Sequence, residues 1–295
     1  MTGASGADEA LAQACAAVGL AAGHAKPISR GENAIFRLSD GIIARVSRPG
    51  QQYAARREVA VSRWLNASGI PAVAALAHIP QPVEIAGRSV TFWEDLPAHR
   101  QGTPVEVAGV LKRLHALPVP DDVPLGALDP FVRLADRIDG AVTILDDDRA
   151  WLHARLAALQ RRWAGLIPGL PACVVHGDAW AGNVVATSNR TMILLDLERC
   201  SIGPREWDLV STAVKYVSFG LIDQGEYQQF CDAYSADVTA WGGFAVLRDI
   251  RELRMTCYMA QQAATHPRAG QETRLRIDSL RGRKGPRPWL WTPAD

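Results

Sequence analysis

The chain has 295 residues, 48% of them hydrophobic and 21% charged, enough for one large or two modest domains around a sizeable core. These proportions exclude a disordered, collagen-like or low-complexity chain. Lys and Arg number 32 against 31 Asp and Glu, a net charge of +1; the basic excess of a general nucleic-acid binder is missing, so specificity must come from a local site. Cys15, Cys173, Cys200, Cys231 and Cys257 are scattered with no CxxC pair, which reads as buried thiols in a reducing compartment. The first ten residues carry Asp8 and Glu9 and no basic segment, unlike a signal peptide. No run of 18 apolar residues offers a membrane span. The expectation is a soluble, cytoplasmic protein with no nucleic-acid and no membrane partner.

In chain order, the Ala/Leu-rich stretch from Asp8 to Leu20 predicts a first helix. Ala34–Leu38 and Ile42–Val46 flank Ser39-Asp40-Gly41 and predict a hairpin. Gln52–Asn66 reads as an amphipathic helix stopped by Ser68-Gly69-Ile70-Pro71. Strands are predicted at Val73–Ile79, Val83–Ile85 and Ser89–Trp93. Beyond Leu96-Pro97 the pattern turns helical, near Val105–Leu117, Pro130–Val142, Asp148–Ala164, Glu206–Val217, Gly225–Ala236 and Trp241–Ala263. One β island, Cys173–Asp196, interrupts it. The fold class is therefore α+β, a small β-rich lobe of residues 1–97 followed by a larger, mainly helical lobe of residues 98–295. The basic tail 281–291, with Trp289 and Trp291, reads as an arm packed on the helical lobe.

The β island holds the chemistry. His176-Gly177-Asp178 is followed by Asn183, then by two apolar runs around Ser188-Asn189, then by Asp196-Leu197-Glu198. A hairpin brings its end back to its beginning, so Asp196 should lie beside Asn183 and near Asp178. Asn183 and Asp196 offer a neutral oxygen and a carboxylate, a donor pair suited to Mg²⁺ that also holds nucleotide phosphates. Asp178 is then free to accept a hydrogen bond from an attacking hydroxyl and to take its proton. Such a set points to phosphoryl transfer. By ordinary residue usage, His-Gly-Asp with an Asn five residues after the Asp arises in very roughly one chain of this length per thousand.

These residues resemble the signature of the aminoglycoside phosphotransferase and choline kinase group, small-molecule relatives of the protein kinases. The Asp178-to-Asn183 spacing equals that of the kinase catalytic loop. Leu111-Lys112-Arg113-Leu114-His115 is similar to the group's Leu-x-x-Leu-His helix, and Gly203–Leu209 to its segment after the metal-binding Asp. The resemblance implies a bilobal, protein-kinase-like fold, ATP (with GTP an open alternative) and Mg²⁺ as cofactors, and a small-molecule hydroxyl as acceptor. It also implies a role for Asp208 in bracing the catalytic loop and for His176 in holding it. Ser29, Gly31 and Asn33 would belong to a phosphate-covering loop. Arg45 stands where kinases carry a lysine, with Glu58 as its ion-pair partner, and Thr91–Leu96, including Glu94 and Leu96, would be the hinge that meets adenine.

The acceptor is less legible. Residues 98–267 carry 16 basic and 20 acidic side chains, a mild excess that suits a cationic acceptor such as an aminoglycoside or an amino alcohol. Asp223, Glu226, Asp249 and Glu252 are the candidates for holding it. Asp146-Asp147-Asp148 reads as a helix start. The expected function is ATP- and Mg-dependent O-phosphorylation of a small molecule. An aminoglycoside-type antibiotic is the first choice of acceptor and choline, an amino sugar or a similar amino alcohol the alternative; a catalytically silent nucleotide-binding module is the rival from another class. A protein acceptor fits less well, since Leu-Glu rather than Phe-Gly follows Asp196.

Overall fold

The computed structural model describes residues 2–30, 33–39, 41–167, 169–264 and 266–292; Gly31, expected in the phosphate-covering loop, lies outside them. Helix α1 (Thr2–Val18) packs against a five-stranded antiparallel sheet of β1 (Lys26–Arg30), β2 (Ala34–Arg37), β3 (Ile42–Val46), β4 (Val83–Ile85) and β5 (Arg88–Glu94), ordered β1-β2-β3-β5-β4. The period-two alternation of strands decides which side chains meet which layer. Phe36, Ala44, Val46, Val90 and Phe92 cluster with Ala10, Leu11, Ala14 and Cys15 of α1. Arg45 and its register partner Thr91 face the other way, toward α2 (Gln52–Ala67), where Val59 packs on Trp93.

The strand expected at Val73–Ile79 does not form. Its backbone is divided between two sheets: Val73 N–H donates to Leu194 O, while Ala74 O accepts from Glu94 N–H and Leu76 N–H donates to Phe92 O. Only isolated bridges result, and the segment ties the first sheet to the second. That second sheet joins β6 (His99–Gln101), β8 (Val184–Thr187) and β9 (Met192–Leu194); β7 (Ala172–Val175) pairs separately with β10 (Ser201–Pro204). Strand β6 carries no apolar alternation and is wholly exposed, which hides it from a pattern reading.

The helices are α3 (Pro104–Leu114), α4 (Leu134–Asp139), α5 (Asp146–Ala164), α6 (Glu206–Val217), α7 (Gln224–Tyr234), α8 (Phe244–Gln262) and α9 (Pro267–Leu280). Thr103 and Glu106 form a capping box before α3, satisfying otherwise orphaned amides. Helix α4 is shorter than expected because Arg133 turns left-handed at φ +63° and Gly140 caps the other end. Leu111, Leu114, Trp207, Phe230 and Leu253 belong to one core shared by α3, α6, α7 and α8. The tail packs as expected: Trp289 stacks on Trp291 at 5.3 Å, Trp291 meets Phe219 at 4.9 Å, and Trp289 N–H donates to Ser218 O. All five cysteines are buried free thiols. Among the described residues no helix is long and apolar enough to cross a membrane.

Candidate active site

Strand β7 drives its buried Cys173, Val174 and Val175 into the core and ends at the turn His176-Gly177-Asp178. Gly177 sits at φ +82°, and a Cβ there would lie 2.4 Å from the Arg199 carbonyl oxygen; only glycine fits. The turn is held from below by Asp208 at the start of α6, fully buried, which accepts from His176 N–H at 2.7 Å, Gly177 N–H at 2.9 Å and His115 Nε2 at 3.1 Å. Burial pushes the Asp208 carboxyl up, but the His115 bond and the charges of His115 and His176 outweigh it and hold its pKa below the ordinary value. His115 Nδ1 reaches Tyr234 Oη at 2.8 Å. His176 is itself committed: Nδ1 accepts from Asp178 N–H at 3.3 Å and Nε2 meets Leu195 O at 2.8 Å. Neither ring nitrogen is left to move a proton.

The β8–β9 hairpin forms in the expected register, Val184 opposite Leu194. Leu195 N–H donates to Asn183 O at 2.9 Å, and Asn183 Nδ2 donates to Asp178 O at 3.0 Å. Asp178, Asn183 and Asp196 thus share one rim. With its amide nitrogen spent on the loop, Asn183 keeps Oδ1 for a ligand. Asp196 begins a short 3-10 turn in the left-handed region at φ +52°. Burial first, then Glu198, pushes its carboxyl pKa up to about 6; Arg45 opposes the shift and Asp178 adds to it. A cation beside Asp196 would relieve that crowding of carboxylates. Among the described residues no three His, Cys, Asp or Glu side chains close into a metal cage, and Mg²⁺, which favours one or two carboxylates completed by waters and phosphates, needs none.

Arg45 lies across the cleft. It donates to Glu58 at 2.5 Å and Glu198 at 3.1 Å, and with the Asn33 amide turned so that its oxygen faces the guanidinium, Asn33 accepts from Nη2 at 2.6 Å and Nε at 2.9 Å. Burial pushes the Glu58 carboxyl up to about 7; Arg45 opposes this, and Asp196 and Glu198 add to it. Ser29 lies on exposed β1 opposite Ile35. In the hinge, Glu94 N–H is spent on Ala74 O and Asp95 N–H on Gly41 O, while the Leu96 amide has no partner among the described residues. A cavity of about 470 Å³ opens below β3, lined by Asn33, Arg45, Thr91 and Glu58 on one side and by α4 and Gln261 on the other.

Two side chains join the site that a sequence reading passes over. Glu198 is the second acceptor of Arg45. Arg251 of α8 donates Nη1 to Asp178 Oδ1 at 2.9 Å and lies over the Trp207 ring at 4.4 Å from its centroid. Burial pushes the Asp178 carboxyl up, yet Arg251 and Arg254 hold it below its ordinary value, so it stands ready as a hydrogen-bond acceptor. A basic residue every three positions, Arg248, Arg251 and Arg254, was the available signal. The four carboxylates expected to hold a cationic acceptor are all otherwise engaged. Asp223 and Glu226 form the capping box of α7; Asp249 is paired with Arg155, Arg162 and Arg248, and Glu252 with Arg287.

The model of the phosphotransferase enzyme family matches residues 24–248, most of the chain and the catalytic turn, hairpin and Arg45 cleft just described, but not Arg251 or Gln261 of α8. The chain belongs to that family. It is a small-molecule kinase, a phosphotransferase with an alcohol group as acceptor. Solved structures of the same protein-kinase-like fold include the microcompartment-associated aminopropanol kinase (TM-score 0.64, 19% identity, 92% of this chain and 94% of that one). The amicoumacin kinase in complex with AMP-PNP, Ca²⁺ and Ami superposes with a TM-score of 0.62 at 16% identity, covering 86% and 88%. An aminoglycoside phosphotransferase from Streptomyces rimosus gives 0.59 at 17%, covering 85% and 99%. No match to the sequence was found among curated proteins.

Proposed function

We propose that this kinase is an ATP- and Mg²⁺-dependent O-phosphotransferase of the cytoplasm, with residues 1–97 as the nucleotide-binding lobe and residues 98–295 as the catalytic and acceptor-binding lobe. The reading rests above all on the convergence of Asp178, Asn183 and Asp196 on one rim braced by Asp208. It is supported by the nucleotide and divalent metal bound to the amicoumacin kinase.

In this mechanism the acceptor hydroxyl donates its hydrogen bond to Asp178, which orients the oxygen toward the γ-phosphorus. The new bond forms between that oxygen and the γ-phosphorus, the bond to the β–γ bridging oxygen breaks, and ADP leaves with the electron pair. The hydroxyl proton passes to the Asp178 carboxylate and then to solvent. Arg45, fixed by Glu58, Glu198 and Asn33, grips the phosphates, and Ser29 of β1 and Asn33 before β2 approach them from the same side. The Leu96 amide and the Glu94 carbonyl meet the adenine edge. Asn183 and Asp196 would hold the divalent ion, which supplies charge neutralisation on the transferring group. Catalysis is then positioning plus electrostatics.

The test is steady-state ADP release with Mg-ATP, and with Mg-GTP beside it, against aminoglycosides, amino alcohols, neutral sugars and hydroxy acids. Asp178→Asn should lose on the order of 10²- to 10⁴-fold in turnover while ADP binding by calorimetry persists. Wild-type turnover in that variant would sink the assignment, and failure of the wild-type protein to bind any nucleotide would sink the whole reading.

A further inference from the structure

The acceptor side of Asp178 is cationic. Along α8, Arg251, Arg254, Tyr258 and Gln261 recur at three- and four-residue spacing and form one stripe. Arg251 is consumed by Asp178. Arg254 is half-buried, gives its one hydrogen bond to the Pro130 carbonyl at 2.7 Å, and has no carboxylate partner among the described residues. Burial and then the neighbouring Arg251 work against its charge, Asp178 offsets them in part, and Arg199 and Arg137 add to the loss, so its pKa falls to about 9; at neutral pH it stays protonated. Further along the stripe, Arg137 of α4 lies over the Tyr258 ring at 5.4 Å. Behind the catalytic turn, Lys215 stands 5.9 Å from the Trp180 ring centroid, again without a carboxylate among the described residues, and burial lowers its pKa.

A part-buried guanidinium beside a second one, with a carbonyl but no carboxylate within ion-pair distance among the described residues, costs free energy in the empty protein, and a bound anion recovers part of it. Resting on the phosphotransferase reading above, we propose that the acceptor is an anionic hydroxyl compound, a small carboxylate or phosphate ester, whose anionic group is held by Arg254 while its hydroxyl meets Asp178. Arg254 lies one helical turn from Arg251, which itself holds Asp178, so one compact molecule such as a sugar acid or a sugar phosphate would offer its hydroxyl to Asp178 and its anionic group to Arg254. Carboxylate and phosphate both fit the planar guanidinium fork. The transferred group and the proton follow the balance already given.

The experiment compares acceptors that differ only in charge: gluconate against sorbitol, glucose 6-phosphate against glucose, with 1-amino-2-propanol and streptomycin as cationic counterparts. ADP release is followed in the wild type, Arg254→Gln and Arg254→Lys, together with melting shifts in the presence of ADP and Mg²⁺. The expected result is turnover and a melting shift with gluconate or glucose 6-phosphate, kcat/KM at least about 10-fold above the uncharged partner. Arg254→Gln should raise KM for that acceptor about 10- to 100-fold, the loss of one charged hydrogen-bonding group, with KM for ATP unmoved; Arg254→Lys should recover part of it. Two results overturn the proposal while leaving the phosphotransferase intact: turnover confined to cationic or neutral acceptors, or ADP binding with no response to either anion. A rise in KM for ATP alone in Arg254→Gln would assign the arginine to the nucleotide phosphates and overturn it equally. Loss of all nucleotide binding in the wild type would instead fail the underlying reading.

Discussion

Asp208→Asn isolates the brace beneath the catalytic turn. One carboxylate oxygen accepts from Gly177 N–H and the other from both His176 N–H and His115 Nε2. An amide supplies a single acceptor oxygen, so whichever way it turns, a donor faces a donor and at least one buried backbone N–H is orphaned. That orphan costs about 1–3 kcal/mol, and the remaining bonds fall from charged to neutral strength at roughly another 1 kcal/mol. The expected loss is about 2–4 kcal/mol, read from urea denaturation at pH 7, a large part of the ~5–15 kcal/mol that holds a domain together. Turnover should fall while KM for ATP changes little, because the turn carries Asp178 and not the nucleotide lobe. The pH dependence has a definite sign. The folded pKa of Asp208 lies below its ordinary value, so its contribution is complete above the unfolded pKa near ~4 and is lost as the pH falls through the folded one. The stability gap between wild type and Asp208→Asn should therefore close in acid. A variant within 0.5 kcal/mol of wild type at neutral pH, a margin ordinary for surface changes, would refute the bracing argument.

Arg45→Ala removes the guanidinium that pairs with Glu58 and leaves that carboxylate buried without an ion-pair partner among the described residues. A loss of about 3 kcal/mol in stability should accompany a rise in KM for ATP, with Arg45→Lys recovering charge but not the three-way contact to Glu58, Glu198 and Asn33. Arg287→Ala tests the tail: removing its bidentate bonds of 2.7 and 2.6 Å leaves the fully buried Glu252 with only Arg248, at 3.9 Å, to offset its charge. The denaturation midpoint should drop by the equivalent of about 3 kcal/mol, while ADP affinity of the folded protein stays the same.

How much of this was legible depended on whether the signal was local. The catalytic turn, its asparagine and the hairpin returning to Asp196 lie within 21 consecutive residues, and turn chemistry with strand alternation places them. The pairing of Arg45 with Glu58 was legible through the resemblance rather than through local pattern, and the two side chains do meet. Strand β6 and the split segment at Val73–Ile79 were not legible: β6 pairs with a strand more than 80 positions away, and the few bonds of the segment are divided between distant Leu194 and nearer Phe92 and Glu94, which leaves no periodic trace. Helix α9 was missed between polar residues, where Arg276 and Thr273 are nonetheless buried. Arg251 reaches Asp178 across 73 positions, a contact that only the packing of α6 and α8 creates.

The charge of the helical lobe carries a sharper lesson about sites. Counted as a whole, residues 98–267 are acidic, which favoured a cationic acceptor. The acids, however, are spent where they balance something: three arginines on Asp249, Arg287 on Glu252, an imidazole and two amides on Asp208, helix starts at Asp223 and Asp146–Asp148. Internal pairing removes those charges from the field that a ligand meets. What survives beside Asp178 is Arg254, with no carboxylate within ion-pair distance among the described residues, and a ligand responds to that charge because screening beyond about 8–10 Å weakens the rest. A net charge summed over a lobe constrains solubility and encounter; the sign met at one site is set by the few charged groups that internal ion pairs there do not cancel.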